Sequence, residues 1–208
     1  MTVRKGQSWG RPGALPDGGV VVRSDADARG ALEDARRRGG PYPPLGLLGG
    51  DLCHTLGGTG DEARLRSGDA VTFTVDLGEA LLDGRLHFFV AHLVARTPSW
   101  RRAYVVMNAQ WYSTEGWHRP WNLGPRAHPG DGLLDAYGVR LAVGDLLRVR
   151  PRLHHGAHLP HPGIKERRAA AVQVELERPL PVCLDGMPVG RARSLSVRVE
   201  PDALTVVV

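Results

Sequence analysis

A glycine-rich turn with an acidic side chain is the first feature of this sequence that fits a ligand-binding loop. Gly49, Gly50 and Asp51 directly follow the short apolar run at residues 45–48, which predicts a buried strand. A turn at the carboxyl end of such a strand is the expected place for a loop that faces a ligand. The alternative is a turn that only closes the strand, and both interpretations stay open.

A cluster of histidines is the second candidate for chemistry. Four of the nine histidines lie at positions 154, 155, 158 and 161. On a helix, spacings of three and four residues would place them on one face, where they would suit zinc. However, Pro160 and Pro162 break such a helix. The cluster also lacks the glutamate that a metalloprotease motif requires. We therefore expect a proline-rich loop against a sheet, with zinc as the weaker alternative.

Aromatic residues are concentrated in one further stretch. Trp111, Tyr112, Trp117 and Trp121 lie close together among glycine and proline residues. An indole combines a large apolar body with one polar edge, so such a stretch suits a lip that faces lipid. The same side chains also suit a cap over an exposed end of a sheet, which is the interpretation that we prefer.

The N-terminal part predicts one small βαβ unit that positions the glycine-rich turn. Residues 20–22 form an apolar, β-branched run, and Ser24 is a good helix N-cap followed by acidic residues. A helix is predicted over residues 25–38, because basic residues there precede Gly39 and Gly40. The strand at residues 45–48 completes the unit.

From about residue 64 onward the pattern changes to strands. Apolar and polar residues alternate at positions 71–77, and the Asp83-Gly84 turn joins them to a second strand at residues 86–94. Further strand candidates are residues 103–109, 139–143, 170–177, 182–184, 195–199 and 204–208. The sequence therefore predicts a mainly β protein, built as a two-sheet β-sandwich or distorted barrel with a short N-terminal βαβ appendage.

Charge and composition limit the classes of partner. The chain has 27 basic and 22 acidic residues, and all the basic ones except Lys5 and Lys165 are arginines. Arginine enriched together with glycine, alanine and proline is typical of a genome rich in G and C. The arginine clusters would also suit a face that binds phosphate groups of nucleic acid, anionic lipid or nucleotide. A nucleic-acid partner is not expected, because aromatic residues interleaved with arginines and a reading helix are both missing, so a nucleic-acid-binding module is the weakest class. With no apolar run of about 18 residues and no signal peptide, we expect a cytoplasmic protein without a transmembrane segment, with peripheral membrane association as an open alternative.

Three segments of the β-rich part carry a recognisable order of residues. The first segment has two parts. A strand ends at residues 107–110, and residues 124–135 contain Pro-Arg-Ala followed by Asp-Gly-Leu-Leu-Asp. The second segment, residues 156–162, begins with Gly-x-His. The third has two parts, an Asp-Gly hairpin within residues 182–186 and a closing Pro-x-Ala-Leu strand within residues 199–204. In order and spacing, residues 70–208 resemble the C-terminal domain of the diacylglycerol and sphingosine kinases, the YegS-type lipid kinase family.

The resemblance implies a function and a set of site residues. It implies ATP-dependent transfer of a phosphoryl group to a lipid hydroxyl, with residues 1–62 as a reduced nucleotide-binding lobe and residues 63–208 as the β-domain. An aspartate would act as base, a glycine-rich loop would meet the ATP phosphates, and oxygen ligands would hold magnesium. By resemblance these are Asp185 for the base, Gly49, Gly50 and Asp51 for the phosphates, and Asp131 and Leu133 for Mg²⁺.

Several departures from the family pattern predict a degenerate enzyme. Leu52 stands where the phosphate loop has a glycine, Met187 where the hairpin has a glutamate, and Gly130 where the metal segment has a second acidic residue. Asp185 also fits a simple hairpin turn, and Asp131 an Asx turn. The alternative to a degenerate lipid kinase is a non-catalytic module that binds lipid, a membrane surface or another protein. The acceptor lipid and the oligomeric state stay open.

Overall fold

The computed structural model describes residues 9–113 and 119–208. Within these ranges the strands are β1 (Arg11–Pro12), β2 (Val20–Val22), β3 (Leu45–Leu47), β4 (Val71–Leu82), β5 (Arg85–Phe89), β6 (His92–Arg96), β7 (Arg102–Met107), β8 (Leu134–Arg140), β9 (Ile164–Ala169), β10 (Ala171–Leu184) and β11 (Met187–Val207). The helices are α1 (Asp25–Arg37), α2 (Asp51–Thr55), α3 (Glu62–Leu65) and α4 (Val143–Val149), and a 3-10 helix (Arg150–His155) follows α4.

All of these strands join one sheet, which over the described residues is not closed into a barrel. The main path runs β1-β4-β11-β10-β6-β7-β8-β9, with antiparallel neighbours throughout. Strand β5 pairs with β4, and β3 pairs in parallel with both β2 and β11. The predicted mainly β class is confirmed, as is the βαβ unit β2-α1-β3.

Helix α1 forms where the sequence predicts it, one residue shorter at its C-terminal end. The Ser24 hydroxyl oxygen accepts a hydrogen bond from the Asp27 N–H at 3.1 Å, which caps the first turn. Ala28, Leu32 and Ala35 are buried at the spacing of one helix face. This face packs α1 onto the sheet and so fixes the position of Asp25 at its N-terminus.

The N-terminal unit and the last strand share one core. Val206 of β11 lies opposite Leu45 of β3, and both belong to a buried cluster that also contains Leu32, Leu52 and Val75. Burial of such side chains is the main stabilising contribution to the fold. Side chains from both sides of the predicted domain boundary, between residues 62 and 63, therefore share one core. The division into two domains at this boundary stays a prediction.

The predicted single strand over residues 86–94 is interrupted in the structure. Strand β5 ends at Phe89 and β6 begins at His92. Between them, the N–H groups of Val90 and Ala91 donate to the side chain of Asp185, at 3.1 and 2.9 Å. An N–H group used in this way cannot pair with a neighbouring strand, which explains the break.

The aromatic stretch packs inward where the structure describes it. Trp121 is only 4% exposed and contacts Tyr112, with which it exchanges two backbone hydrogen bonds of 2.8 Å. Trp121 therefore contributes to the core, as the capping interpretation expects, and Trp117 lies outside the described residues. In the same ranges, no helix is long and apolar enough to span a membrane.

Candidate functional site

A polar cleft lies where the βαβ unit meets β6 and the β10–β11 hairpin. It is lined by the predicted loop residues Gly49, Gly50 and Asp51, by the predicted base Asp185, and by Asp25 and His92. The structure thus brings four predicted site residues together from distant parts of the chain. Asp25 and His92 are members of the site that the sequence analysis missed.

The carboxylate of Asp25 caps the start of helix α2. Its Oδ2 accepts from the Asp51 N–H at 2.5 Å and its Oδ1 from the Leu52 N–H at 3.1 Å. Burial, and then the nearby negative charge of Asp185, raise the pKa of Asp25 to about 7. The backbone N–H groups that a phosphate loop would offer to a nucleotide are therefore occupied by a side chain of the protein itself.

The two glycines of the loop are explained by this close packing. Gly50 has a φ of 96°, and a Cβ there would lie 2.5 Å from Oδ1 of Asp25. A Cβ on Gly49 would lie 2.5 Å from the carbonyl oxygen of Arg23. A side chain at either position would clash, and Gly50 also has a backbone conformation that favours glycine. Contacts within the protein thus account for both glycines.

Asp51 is held by a buried histidine and a serine. Its Oδ2 lies 2.9 Å from Nε2 of His92 and accepts from the Ser113 N–H at 2.8 Å, while its Oδ1 accepts from the Ser113 hydroxyl at 2.6 Å. Burial opposes charge on both partners. The hydrogen bonds outweigh it, lowering the pKa of Asp51 and raising the pKa of His92. The hydrogen bond between Asp51 and His92 thus favours the charged form of both side chains.

Asp185 occupies the β10–β11 turn and faces the break between β5 and β6. Its φ is 51°, and its carboxylate accepts from the N–H groups of Val90, Ala91 and His92 at 3.1, 2.9 and 3.2 Å. Burial raises the pKa of Asp185, against the opposing charge of His92. These contacts are those of a structural turn residue that joins the hairpin to β6, and a role as catalytic base stays a prediction.

The residues predicted to hold magnesium lie elsewhere, beside β8. Oδ1 of Asp131 accepts from the Leu133 N–H at 3.0 Å, and its other oxygen pairs with the guanidinium of Arg168. This is the Asx turn considered as the alternative, with an arginine as the counter-ion. Magnesium at Asp131 and Leu133 stays a prediction.

In this arrangement the acidic groups do not fit magnesium and ATP phosphates. One ligand atom from each of Asp25, Asp51 and His92 lies within 4.8 Å of the others. The two carboxylates point at N–H donors, and His92 directs Nε2 at Asp51. A hard cation needs several oxygen atoms that are turned toward it. Binding it here would require the hydrogen bonds of the cleft to rearrange.

A second, apolar cavity lies between the sheet and the helical segment of α4 and the 3-10 helix. Its volume is about 420 Å³, which is within the range of sites for small molecules. Val105 and Tyr137 line it from the sheet, and Leu146, Val149 and Leu153 from the helical segment.

The charged groups of the apolar cavity are basic. Among the described residues that line it, both charged side chains are arginines, Arg96 and Arg150. His158 also lines it, and burial lowers the pKa of this histidine, which favours the neutral ring. An apolar cavity with arginines suits a ligand with an apolar chain and an anionic group.

The other predicted candidates have separate partners. Nδ1 of His154 lies 3.1 Å from the carbonyl oxygen of Pro120, and Nδ1 of His161 accepts from the Gly163 N–H at 3.0 Å. These contacts support the loop interpretation over a shared zinc ion. Cys53 and Cys183 are free thiols.

Comparisons with known proteins agree with this architecture. Residues 78–208 match the family model described as the YegS C-terminal NAD kinase beta sandwich-like domain. One solved structure of a protein assigned as a diacylglycerol kinase from Bacillus anthracis str. Sterne has a TM-score of 0.59 at 13% identity, over 89% of this chain and 83% of that chain. A second, also from that organism, has a TM-score of 0.58 at 13% identity, over 79% and 69%. At such identity the likeness shows a shared fold. No curated protein matches the chain.

Proposed function

This chain belongs to the family of the YegS C-terminal NAD kinase β-sandwich-like domain, and from that premise we propose that it is a degenerate lipid kinase that binds lipid without transferring phosphate. The observation that carries the proposal is the contact of the Asp25 carboxylate with the N–H groups of Asp51 and Leu52. The Asp25 side chain thus occupies the N–H groups that a phosphate loop would offer to ATP.

Phosphoryl transfer depends mostly on holding the phosphates and on stabilising their developing charge. In the polar cleft, the N–H groups at the start of α2 and the carboxylates of Asp51 and Asp185 already have hydrogen-bond partners. A nucleotide would have to displace these partners. Its phosphates would also be repelled by the buried carboxylates wherever these are ionised. The cleft therefore supports a structural role, in which it joins the βαβ unit to the sheet.

The apolar cavity supports lipid binding. Its lining from Leu146, Val149 and Leu153 suits one hydrocarbon chain, and Arg96 and Arg150 suit an anionic headgroup. Arg96 stacks over the ring of Trp100 at 4.7 Å, which holds its guanidinium at the cavity. We infer that the ligand is a single-chain lipid with a phosphate or carboxylate group.

Filling the apolar cavity is expected to weaken lipid binding by more than tenfold. In Leu146→Trp, the indole would occupy space that a hydrocarbon chain requires, because Leu146 lines the cavity. The measurement is a fluorescence titration with labelled lysophosphatidic acid, and monoacylglycerol, which lacks the anionic group, is expected to bind more weakly. The matched control is Leu86→Trp, at an exposed leucine of β5, which should bind like the wild type. Unchanged binding by Leu146→Trp would contradict the proposal.

Phosphotransfer is a second candidate, because Gly49, Gly50, Asp51 and Asp185 do line one cleft. We expect little or no transfer of radiolabelled phosphate from ATP with magnesium to diacylglycerols, ceramides and sphingoid bases. A general base contributes about 10² to 10⁴-fold, which is small beside the full acceleration of a kinase. Turnover at an ordinary kinase rate that Asp185→Asn and Asp51→Asn both abolish would show an active lipid kinase instead.

A further inference from the structure

Helix α4 exposes two large apolar side chains to solvent. Val143 is 57% exposed and Leu147 is 67% exposed, and their spacing of four residues places them on one side of the helix. Leu146 and Val149 of the same helix line the apolar cavity. One short helix therefore separates the apolar cavity from an exposed apolar pair.

Basic side chains flank this pair. Arg148 is 79% exposed and lies 3.7 Å from the carboxylate of Asp145, one turn before it. Arg150 and Arg152 are exposed on the 3-10 helix that follows. Residues 143–152 contain three arginines and one aspartate, so their net charge is 3 − 1 = +2. We call the exposed side chains Val143, Leu147, Arg148 and Arg152 the docking face.

We propose that the docking face binds the surface of an anionic lipid bilayer and brings the apolar cavity to the source of its ligand. The proposal rests on the lipid-binding function proposed above. Apolar side chains that enter the headgroup region and arginines that attract anionic lipids both contribute to reversible membrane binding. A stable protein complex buries roughly 800 Å² on each partner, and the surface of these four side chains is only a small part of that area. A bilayer is therefore the occupant that this face fits.

The apolar pair is tested by vesicle binding of the full chain. Wild type should sediment with vesicles in which phosphatidylserine replaces part of the phosphatidylcholine, and much less with phosphatidylcholine alone. Val143→Ser with Leu147→Ser should reduce this binding at least about tenfold. The matched control is Leu81→Ser with Leu86→Ser, a cross-strand pair of leucines that are 44% and 42% exposed. The control should bind vesicles like the wild type.

The arginines are tested in the same assay. Arg148→Gln and Arg152→Gln are each expected to weaken binding about fivefold, which corresponds to the usual contribution of one basic residue at an anionic surface. Arg37→Gln is the control, because Arg37 is 75% exposed and pairs with an aspartate three residues away, as Arg148 does. Added salt should weaken the binding of wild type, since it screens exposed charges.

Two outcomes would overturn the docking face. One is a wild type that does not bind anionic vesicles, and the other is vesicle binding that the Val143 and Leu147 substitutions do not reduce more than their control. Binding of soluble lysophosphatidic acid by the same variants separates the two proposals. It should be unchanged in the docking-face variants and lost in Leu146→Trp, so a failure of lipid binding itself would appear in this second measurement.

Discussion

Replacing Asp185 with alanine is expected to lower the free energy of unfolding by about 3 kcal/mol or more. Asp185 is 7% exposed, and its carboxylate accepts from three backbone N–H groups, at Val90, Ala91 and His92. A buried N–H that loses its acceptor costs about 1–3 kcal/mol. Urea unfolding, followed by circular dichroism, measures the loss.

The chain contains a matched control for this change. Asp83 precedes Gly84 in the β4–β5 hairpin, has a φ of 47°, and accepts from the N–H groups of Arg193 and Ser194 at the surface. Because solvent can replace its carboxylate, Asp83→Ala should destabilise the protein much less than Asp185→Ala. Equal losses in the two variants would show that the effect comes from the turn conformation and not from the buried N–H groups.

The stability of the protein is expected to increase as the pH falls from 8 toward 5. The pKa of Asp25 is about 7 in the folded protein, against 3.8 for the unfolded chain. The folded state therefore binds more protons over this interval, and acid favours it, by an amount on the order of a few kcal/mol. His92 acts in the same direction, because its pKa is also raised and its contribution is lost as the pH rises. Urea unfolding at several pH values measures the slope.

Two features distinguish this prediction from a general effect of charge. Asp25→Asn should reduce the dependence, leaving the contribution of His92, while Asp27→Asn, at an exposed carboxylate in the same helix turn, should leave the dependence unchanged. Further acidification should reverse the trend, because the lowered pKa of Asp51 stabilises the protein only while that carboxylate is ionised. A wild type whose stability rises steadily from pH 5 to pH 8 would contradict the assignment to Asp25.

Elements with local signals could be predicted from the sequence. The N-cap at Ser24, the buried face of α1 and the apolar run at β3 are encoded within a few residues, and the structure has all three. The break between β5 and β6 has no local signal, since its cause is Asp185, about ninety residues farther along the chain. Helix α4 was missed because the apolar residues before it continue the pattern of β8.

The candidate site shows the same limit. The positions of Gly49, Gly50 and Asp51 followed from the rule that loops after strands face ligands, and they do line a cleft. Asp25 looked like an ordinary acidic residue of a first helix turn, and His92 like one residue of a strand. Their roles depend on contacts with Asp51, which no spacing in the sequence reveals. The sequence therefore suggested a phosphate loop, whereas the tertiary contacts turn that loop inward.

The pairing of β3 with the end of β11 has a consequence for synthesis of the chain. Leu45 and Gly46 pair with Val206 and Val207, so the N-terminal βαβ unit obtains its place in the sheet from β11, far along the chain. Contacts of such long separation slow folding, because much of the chain must be ordered before they form. A ribosome that is still translating β10 carries a βαβ unit whose β3 edge has not yet gained its β11 partner, and an unpaired strand edge is a site for wrong pairing with another chain.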